Sequence, residues 1–202
     1  PPPPPSPLRI SSILIFNDPR DWALDTSIML DLLLSSHGRL GTRSPRNGNP
    51  AWPNRGYAQH GQPRLFFSNP DLWWAAQHPL PRLGQGAFRA AFEGVWKAVT
   101  DGASLPHTLL GKPHRPAYAA AEALLRRRRR VVAGVDADGD GNADAAGHAD
   151  AHALPPLRRV YMLGDNPASD MRGAADFQSP HGTEWKGVLV RTGVYREEGG
   201  EQ

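Results

Sequence analysis

The sequence feature that most constrains the fold is residues 158–173, RRVYMLGDNPASDMRG, in which an apolar run ends in two acidic residues. Residues 160–163 form a short apolar run, which predicts a buried strand of a parallel sheet. Asp165 follows the end of that strand, and Asp170 comes shortly after it. Open α/β sheets bind ligands outside the carboxyl ends of their strands, so these carboxylates are candidates for half of an active site.

Two explanations of this acidic pair remain open. Carboxylates held close together repel each other unless a cation lies between them. Mg²⁺ suits such oxygen ligands, because it binds at roughly 2.0–2.1 Å through one or two carboxylates plus substrate phosphate. The alternative is structural: Asp165 and Asn166 open a turn, and Asp170 caps the helix that follows.

Three earlier apolar runs also end in polar residues. Residues 13–16 form a strand that leads through a loop into a helix, for which Asp25 or Thr26 is the predicted cap. Residues 65–67 form a second strand. Residues 108–110 form a third, and Lys112 follows shortly after it. This alternation of strands and helices predicts an α/β fold. A lone lysine at such a position is also compatible with a solvated side chain.

Aromatic residues and an arginine run mark the helices and loops between these strands. The adjacent Trp73 and Trp74 are predicted to pack in the core rather than to stack on a ligand. Phe88, Phe92, Trp96 and Val99 recur at helical spacing and predict an amphipathic helix. Residues 42–63 are rich in Gly, Pro, Asn and Arg and predict a long surface loop. A helix opened by Pro116 runs into five arginines at residues 126–130, which predict a solvated helix end.

Composition excludes several classes of function. The chain has no cysteine, so disulfides, thiolate catalysis and zinc–thiolate sites are excluded. No apolar run approaches the ~20 residues of a membrane span. The net charge of +3 owes much to the arginine run, and we predict no nucleic-acid partner. Residues 1–8 form a proline-rich linker, and a sequence that opens PPPPPSP is expected to be a piece of a longer product.

Residues 133–156 are low in complexity and are predicted to form a disordered acidic insertion. Part of the segment matches the start of a calcium-binding loop, but Gly147 stands where the bidentate glutamate should be. His148 and His152 are four residues apart, and a flexible loop gives them no fixed metal geometry. The residues that match the calcium loop are Asp136, Asp138, Asp140, Gly141, Asn142 and Asp144.

These motifs together resemble the haloacid dehalogenase (HAD) superfamily of hydrolases. GDNPASD at residues 164–170 resembles the fourth motif of the superfamily, and GKP at residues 111–113 resembles the third. The segments FNDPRDWALDTSIMLDLLLSSHGRLGT, FFSNPDLWWAAQHPLPRLGQGAFRAAFEGVW and VLVRTGVY are similar to the NagD-like subfamily IIA, of the cat eye syndrome critical region type.

The resemblance implies an incomplete HAD-like Rossmann core plus an α/β cap domain. Residues 9–105 would form the cap, residues 106–194 the C-terminal part of the core, and residues 195–202 a tail. Asp165 and Asp170 would hold Mg²⁺, and Lys112 would neutralise the nucleophile and the substrate phosphate. Asn69 and Asp71 would lie on the substrate-facing loop of the cap.

One departure from the family pattern decides the expected activity. The family's nucleophile lies in an Asp-x-Asp motif ahead of the cap, where this sequence has only PPPPPSPLR. The nearest imitation, VVAGVDADG at residues 131–139, falls in the low-complexity insertion. We therefore predict the C-terminal portion of a Mg²⁺-dependent phosphatase that acts through an aspartyl-phosphate in the intact protein and is inactive alone. The alternative is a non-catalytic binding or scaffolding module.

The resemblance also sets expectations about partners. It implies a phosphorylated small-molecule substrate, and it allows a homo-oligomer formed through the cap. It points to a mitochondrial or cytoplasmic protein with a link to glycerophospholipid metabolism. The residues themselves name neither the substrate nor the compartment.

Overall fold

A computed structural model describes residues 8–134, 154–191 and 193–195. The chain divides into two compact units, Pro1–Gly111 and Lys112–Gln202. Several predictions lie outside the described residues: nearly all of the proline-rich linker, the calcium-like loop, the histidine pair and most of the tail. No helix in the described part of the chain is long and apolar enough to cross a membrane.

The first unit is built on a parallel sheet of three strands in the order β1 (Ser12–Ile15), β2 (Arg64–Phe67) and β5 (Thr108–Leu109). Phe67 lies opposite Ile15 on one side, and Phe66 lies opposite Thr108 on the other. A short antiparallel hairpin, β3-β4, precedes the second helix. The elements are β1 Ser12–Ile15, α1 Trp22–Leu33, a 3₁₀ turn Pro53–Gly56, β2 Arg64–Phe67, β3 Trp73–Trp74, β4 Arg82–Leu83, α2 Gln85–Val99 and β5 Thr108–Leu109.

The core of the first unit lies between this sheet and helix α2. Phe88, Phe92 and Trp96 lie on one face of α2 and are almost fully buried, as are Leu65 and Phe67 on β2. Burying each such side chain contributes about 1.5–3 kcal/mol. The helical spacing of the α2 aromatics therefore predicted the core correctly, although Val99 at the helix end is half exposed.

Two local predictions in the first unit are wrong. Helix α1 begins at Trp22 and is capped by Asp21, whose Oδ1 accepts a hydrogen bond from the Leu24 backbone N–H at 3.0 Å. Neither Asp25 nor Thr26 is the cap. Trp73 and Trp74 are 46% and 48% exposed, and the two-residue strand that carries them belongs to a separate hairpin rather than to the three-stranded sheet.

The division between the units falls after Gly111, whereas the predicted cap ends at residue 105. Strand β5 pairs with β2, so it belongs to the sheet of the first unit. The Leu110 backbone N–H extends this pairing by donating to the Phe67 carbonyl at 2.9 Å. Lys112 is the first residue of the second unit.

The second unit pairs a parallel two-stranded sheet with helix α3. Tyr118, Ala174, Phe177 and Trp185 form its core, and the Tyr118 and Phe177 rings stack at 5.6 Å between centroids. The elements are α3 Arg115–Val132, β6 Arg159–Gly164, a π-helix Pro167–Met171, α4 Arg172–Asp176 and β7 Glu184–Leu189. The parallel strands and alternating helices confirm the predicted α/β class.

Strand β6 is parallel, as predicted, but it is covered on one face only. Val160 and Met162 pack against the core, whereas Tyr161 and Leu163 are 55% and 64% exposed. Among the described residues its only partner strand is β7. The prediction of a fully buried strand is therefore wrong for the residues that the structure describes.

Candidate active site

The central contact of the candidate site is an ion pair between Lys112 and Asp170. Lys112 Nζ donates to Asp170 Oδ1 at 2.5 Å. The Asp170 side chain is 2% exposed, whereas that of Lys112 is 42% exposed. The pair therefore joins a buried carboxylate to an ammonium group that solvent can reach, and it brings together two residues far apart in sequence.

Gly164, the last residue of β6, makes room for this carboxylate. A Cβ atom built on Gly164 would lie 2.1 Å from Asp170 Oδ2 and 2.2 Å from its Cγ. Neither separation is compatible with a real side chain at residue 164. The glycine that precedes Asp165 is therefore required by packing, since the Asp170 side chain lies against its α-carbon.

The polypeptide turns sharply between the two acidic residues. Asn166 caps the π-helix: its Oδ1 accepts from the Ala168 N–H at 3.0 Å. Its own backbone N–H donates to Asp170 Oδ2 at 3.1 Å. Asn166 therefore opens a turn, as the structural alternative predicts, but Asp170 lies inside that turn and is not the cap of the helix that follows. Single turns of π-helix occur frequently at functional sites.

Tyr118 on α3 stabilises the π-helical turn through hydrogen bonds to its backbone. Its hydroxyl donates to the backbone carbonyls of Ser169 and Asp170 at 3.2 and 3.1 Å. A Cβ atom on Gly173 would lie 2.2 Å from that hydroxyl oxygen, so this position also needs glycine. Burial, with a smaller contribution from the charge of Asp170, raises the pKa of Tyr118 to about 12.

This pKa shift predicts a loss of stability at alkaline pH. The unfolded chain ionises Tyr118 near pH 10 and the folded chain near pH 12, so the stabilisation is complete below about pH 10 and declines as pH rises toward 12. We expect Tyr118→Phe to cost about 1 kcal/mol at neutral pH, because two carbonyls lose a donor. The same variant should also lose less stability than the original chain as the pH rises through this range. Urea denaturation across this range checks both, and an unchanged pH dependence in the variant would contradict the prediction.

Asp165 is held by the last described residues of the chain. Its Oδ2 accepts a hydrogen bond from the Val194 backbone N–H at 2.6 Å. Gly193 has a positive φ of 65°, and a Cβ there would lie 1.9 Å from the same oxygen. No described residue has a hydrogen bond to Asp165 Oδ1, and the residue as a whole is half-buried.

The donor set around these acids fits part of a Mg²⁺ site. Mg²⁺ prefers oxygen ligands and is commonly held by one or two carboxylates plus substrate phosphate. Asp165 Oδ1 is an oxygen of that kind, whereas both oxygens of Asp170 already accept hydrogen bonds from Lys112 and Asn166. No group of three or more acidic, histidine or cysteine residues in the described ranges could hold a metal. A further ligand would have to come from elsewhere.

Asn69 and Asp71, the predicted substrate-binding residues, lie in the first unit, on the loop after β2. Asn69 Oδ1 accepts from the Asp71 N–H at 3.0 Å, so this amide closes a turn within the loop. Buried Gln85 anchors the loop: its Oε1 accepts from the Asn69 N–H at 2.9 Å, and its Nε2 donates to the Asn17 carbonyl at 3.2 Å. Their role toward a substrate stays a prediction.

Sequence reasoning missed several residues that shape the second unit. The sequence places Tyr118 in the helix opened by Pro116 and Gly164 at the start of the acidic motif, but its pattern does not indicate what either residue contacts. Glu122 is 2% exposed, and its Oε1 accepts from the hydroxyls of Ser179 and Thr183, both at 2.7 Å. Burial alone would raise the pKa of Glu122, but these hydrogen bonds outweigh it and lower the pKa. The position of Glu122 on the Tyr118 face of α3 was the available signal.

Known proteins resemble this chain in its second half and along most of its length. Residues 109–202 match the HAD-hydrolase-like family model. A mitochondrial hydrolase of Saccharomyces cerevisiae is 34% identical over 199 residues, 94% of this chain and 49% of that protein. A cardiolipin synthase (CMP-forming) and mitochondrial hydrolase fusion protein of Schizosaccharomyces pombe is 33% identical over 187 residues, 93% of this chain and 25% of the fusion.

Residues 109–202 therefore form part of an HAD-like hydrolase domain, which confirms the resemblance predicted from the motifs. The whole chain spans about half the length of the yeast hydrolase. A haloacid dehalogenase-like hydrolase from Brucella suis is 22% identical, with 65% of this chain and 36% of that chain covered. Its TM-score of 0.36 is too low to support an inference.

Proposed function

We propose that the second unit forms the phosphate-binding and metal-binding part of a HAD-type phosphomonoesterase. The observation that carries this proposal is the Lys112–Asp170 pair, with Nζ and Oδ1 2.5 Å apart, near the end of the strand that Asp165 follows. A cation and a carboxylate with an unbonded oxygen at one strand end are the groups that binding of a phosphate dianion with Mg²⁺ requires.

Each residue has a distinct role in the proposed site. Lys112 presents a positive charge to the phosphate oxygens, and its partial exposure leaves room for a substrate to approach. Asp170, buried and hydrogen-bonded to Lys112 and Asn166, orients the ammonium group. Fixed charges of this kind stabilise charge on the transferring group without reorganisation during the reaction.

Asp165 would hold the metal ion through Oδ1, while the Val194 N–H fixes Oδ2. When bound, Mg²⁺ would supply charge neutralisation at the phosphoryl oxygens. Asp170 contributes to this region mainly by position, since Lys112 and Asn166 bond its two oxygens.

We further propose that the attacking aspartate comes from a segment other than the described residues. Attack on phosphorus would form an aspartyl-phosphate that water later hydrolyses. In this sequence Asp-x-Asp occurs only within residues 136–140, which lie outside the described residues. The 202-residue chain is therefore expected to bind phosphate without hydrolysing its esters.

Substrate and compartment are proposed from the relatives. Both are described as mitochondrial hydrolases, and one is fused to a cardiolipin synthase. A phosphomonoester from glycerophospholipid metabolism in mitochondria is the corresponding proposal. Asn69 and Asp71 would contact that substrate from the cap, and a homo-oligomer formed through the cap is part of the same proposal.

A non-catalytic binding module is the second candidate. It is favoured by the hydrogen bonds that occupy both oxygens of Asp170 and by the lack of a three-ligand metal cluster among the described residues. The two candidates differ in whether a version extended upstream, through the first two family motifs, turns over a phosphate ester.

Replacement of Lys112 tests the proposed function. In the extended version, Lys112→Met should lower the turnover of an aryl phosphate by about 10²–10³, because one preorganised charge at the phosphoryl group is lost. Lys97→Met, at an exposed position of α2, is the matched control and should leave turnover unchanged. Equal rates in the two variants would remove Lys112 from the site, and an inactive extended protein would favour the binding module.

A further inference from the structure

Helix α3 presents aliphatic side chains to the outside of the second unit. Its buried residues, Tyr118 and Glu122, are one turn apart and lie on the inward face of the helix. Four aliphatic residues of its C-terminal half are between 43% and 71% exposed: Leu124, Leu125, Val131 and Val132. The outward face of this half of the helix is therefore apolar in part, and it is open to a ligand.

Helical periodicity places arginines between these aliphatic residues. Val131 follows Leu124 by seven positions, which is about two turns, so both lie on the same face of α3. Arg127 and Arg128 lie three and four positions after Leu124, and both are exposed. The two guanidinium groups therefore lie on the face that joins Leu124 to Val131. We call these four residues the α3 surface.

The positive charge of the α3 surface is not compensated within the described ranges. The one acidic residue of α3 is Glu122, which is buried and accepts hydrogen bonds from Ser179 and Thr183. No described carboxylate forms an ion pair with Arg127 or Arg128. Like charges within one turn of a helix repel each other, so an anionic ligand would relieve an existing repulsion.

Two neighbouring arginines are engaged by the second unit itself. Arg126 Nη1 contacts His181 Nε2, and Arg129 Nη1 donates to the Pro155 carbonyl at 2.5 Å. These contacts attach the C-terminal half of α3 to the segments on either side of strands β6 and β7. Arg127 and Arg128 are thereby left as exposed cations on a helix whose position is fixed.

We propose that the α3 surface binds the anionic phospholipid surface of a membrane. A guanidinium group donates two parallel hydrogen bonds to phosphate oxygens, and phospholipid headgroups present such oxygens above an apolar layer. Leu124 and Val131 would enter that layer, while Arg127 and Arg128 would remain at the phosphates. The phosphate backbone of a nucleic acid has no apolar layer beneath it, so it would leave both aliphatic residues in water. The helix would lie in the plane of the interface.

The α3 surface is separate from the candidate active site. Lys112 precedes the first turn of α3, and Arg128 lies about 20 Å along the helix axis from Arg115, at a rise of roughly 1.5 Å per residue. Substitutions on the α3 surface should therefore leave the surroundings of Lys112 unchanged. The proposal does not depend on the phosphatase proposal.

Sedimentation of the complete chain with lipid vesicles tests the proposal. The probes are vesicles of phosphatidylcholine alone and vesicles of an equimolar mixture of phosphatidylcholine and phosphatidylglycerol. We expect binding to the anionic vesicles that weakens as NaCl is added, because salt screens the attraction between charges near a surface. Neutral vesicles should not retain the chain. Equal binding to the two kinds of vesicle, or binding to neither, would contradict the proposal.

Matched variants separate the α3 surface from the general basicity of the chain. Arg127→Gln combined with Arg128→Gln should weaken binding to the anionic vesicles about thirtyfold, since each basic residue near such a surface contributes about fivefold. Arg20→Gln combined with Arg43→Gln makes the same change in charge at exposed positions of the first unit and should leave binding nearly unchanged. Equal losses in the two double variants would mean that net charge alone is responsible, and the proposal would be wrong.

A dye attached at residue 124 distinguishes a membrane from other anionic ligands. The chain has no cysteine, so Leu124→Cys provides a single position for an environment-sensitive fluorophore, with Ala90→Cys on the exposed side of α2 as the control. Anionic vesicles should shift the emission to shorter wavelength at residue 124 and leave it unchanged at residue 90.

Three results of this experiment would overturn the proposal. The first is an unshifted dye at residue 124 in the presence of anionic vesicles. The second is a short DNA duplex that binds as tightly as the vesicles, which would assign the α3 surface to nucleic acid. The third is vesicle binding that appears only in a chain lacking residues 135–153, which would assign the surface to that acidic segment.

Discussion

The 202-residue chain is expected to leave a generic aryl phosphate intact in the presence of Mg²⁺. In the proposed site, Lys112, Asp165 and Asp170 would hold a phosphate and a metal ion, but the family pattern gives none of them the attack on phosphorus. Catalytic groups that act as a unit fail together, and in subtilisin loss of the nucleophile alone costs on the order of 10⁶ in rate. A version extended upstream through the first two family motifs should be faster than the short chain by a factor approaching that size.

The comparison needs a control for the one alternative nucleophile. Asp136→Asn removes the first acid of the Asp-x-Asp sequence within residues 136–140 and should change neither rate. Phosphate release by the short chain that disappears in Asp136→Asn would place the nucleophile in the acidic insertion. Release that persists in the variant would require another nucleophile, and either result would contradict the prediction.

The second large effect is expected from Gly164→Ala. The added Cβ would overlap the Asp170 carboxylate at 2.1–2.2 Å, so either the strand end or the buried aspartate must move. Overpacking of this kind costs about 1–3 kcal/mol. Displacement of Asp170 also moves Lys112, and a shift of about 1 Å in a catalytic site can cost about 10²-fold in rate. We expect urea denaturation of this chain to show the loss of stability. We expect the loss of turnover in the version extended upstream.

Gly94→Ala is the matched control for this substitution. Gly94 lies in α2, where an added Cβ would meet nothing within 4 Å. Alanine in a helix is more stable than glycine by roughly 0.5–1 kcal/mol, so the control should stabilise the chain and leave turnover unchanged. If Gly164→Ala were as harmless as Gly94→Ala, the close packing of Asp170 on the strand end would be wrong.

The strands and the motif residues were predictable because they depend on local pattern. The apolar runs ending in polar residues predicted β1, β2, β5 and β6, and the motif residues Lys112 and Asp170 do meet in the structure. Their direct ion pair was not predicted, since it depends on how α3 and the π-helix pack. The same is true of Tyr118, whose hydroxyl serves a turn that lies about fifty residues later.

The errors also have physical causes. Trp73 and Trp74 are strongly apolar, which predicted burial, but a two-residue hairpin strand leaves both exposed. Tyr161 and Leu163 belong to an uninterrupted apolar run, which predicted burial on both faces of β6, yet no described element covers their face. Hydropathy records what a side chain would gain from burial, whereas the neighbours that provide burial are set by the rest of the fold.

The hydrogen bond from the Val194 N–H to Asp165 has a consequence for the order in which the protein forms during synthesis. The sheet of the first unit is complete once Leu109 has left the ribosome, so that unit can fold while translation continues. Asp165 acquires its partner only when residue 194 has emerged. The first unit would therefore be native while the acidic end of β6 is still unformed, and the Asp165 carboxylate would be among the last groups of the described chain to reach its place.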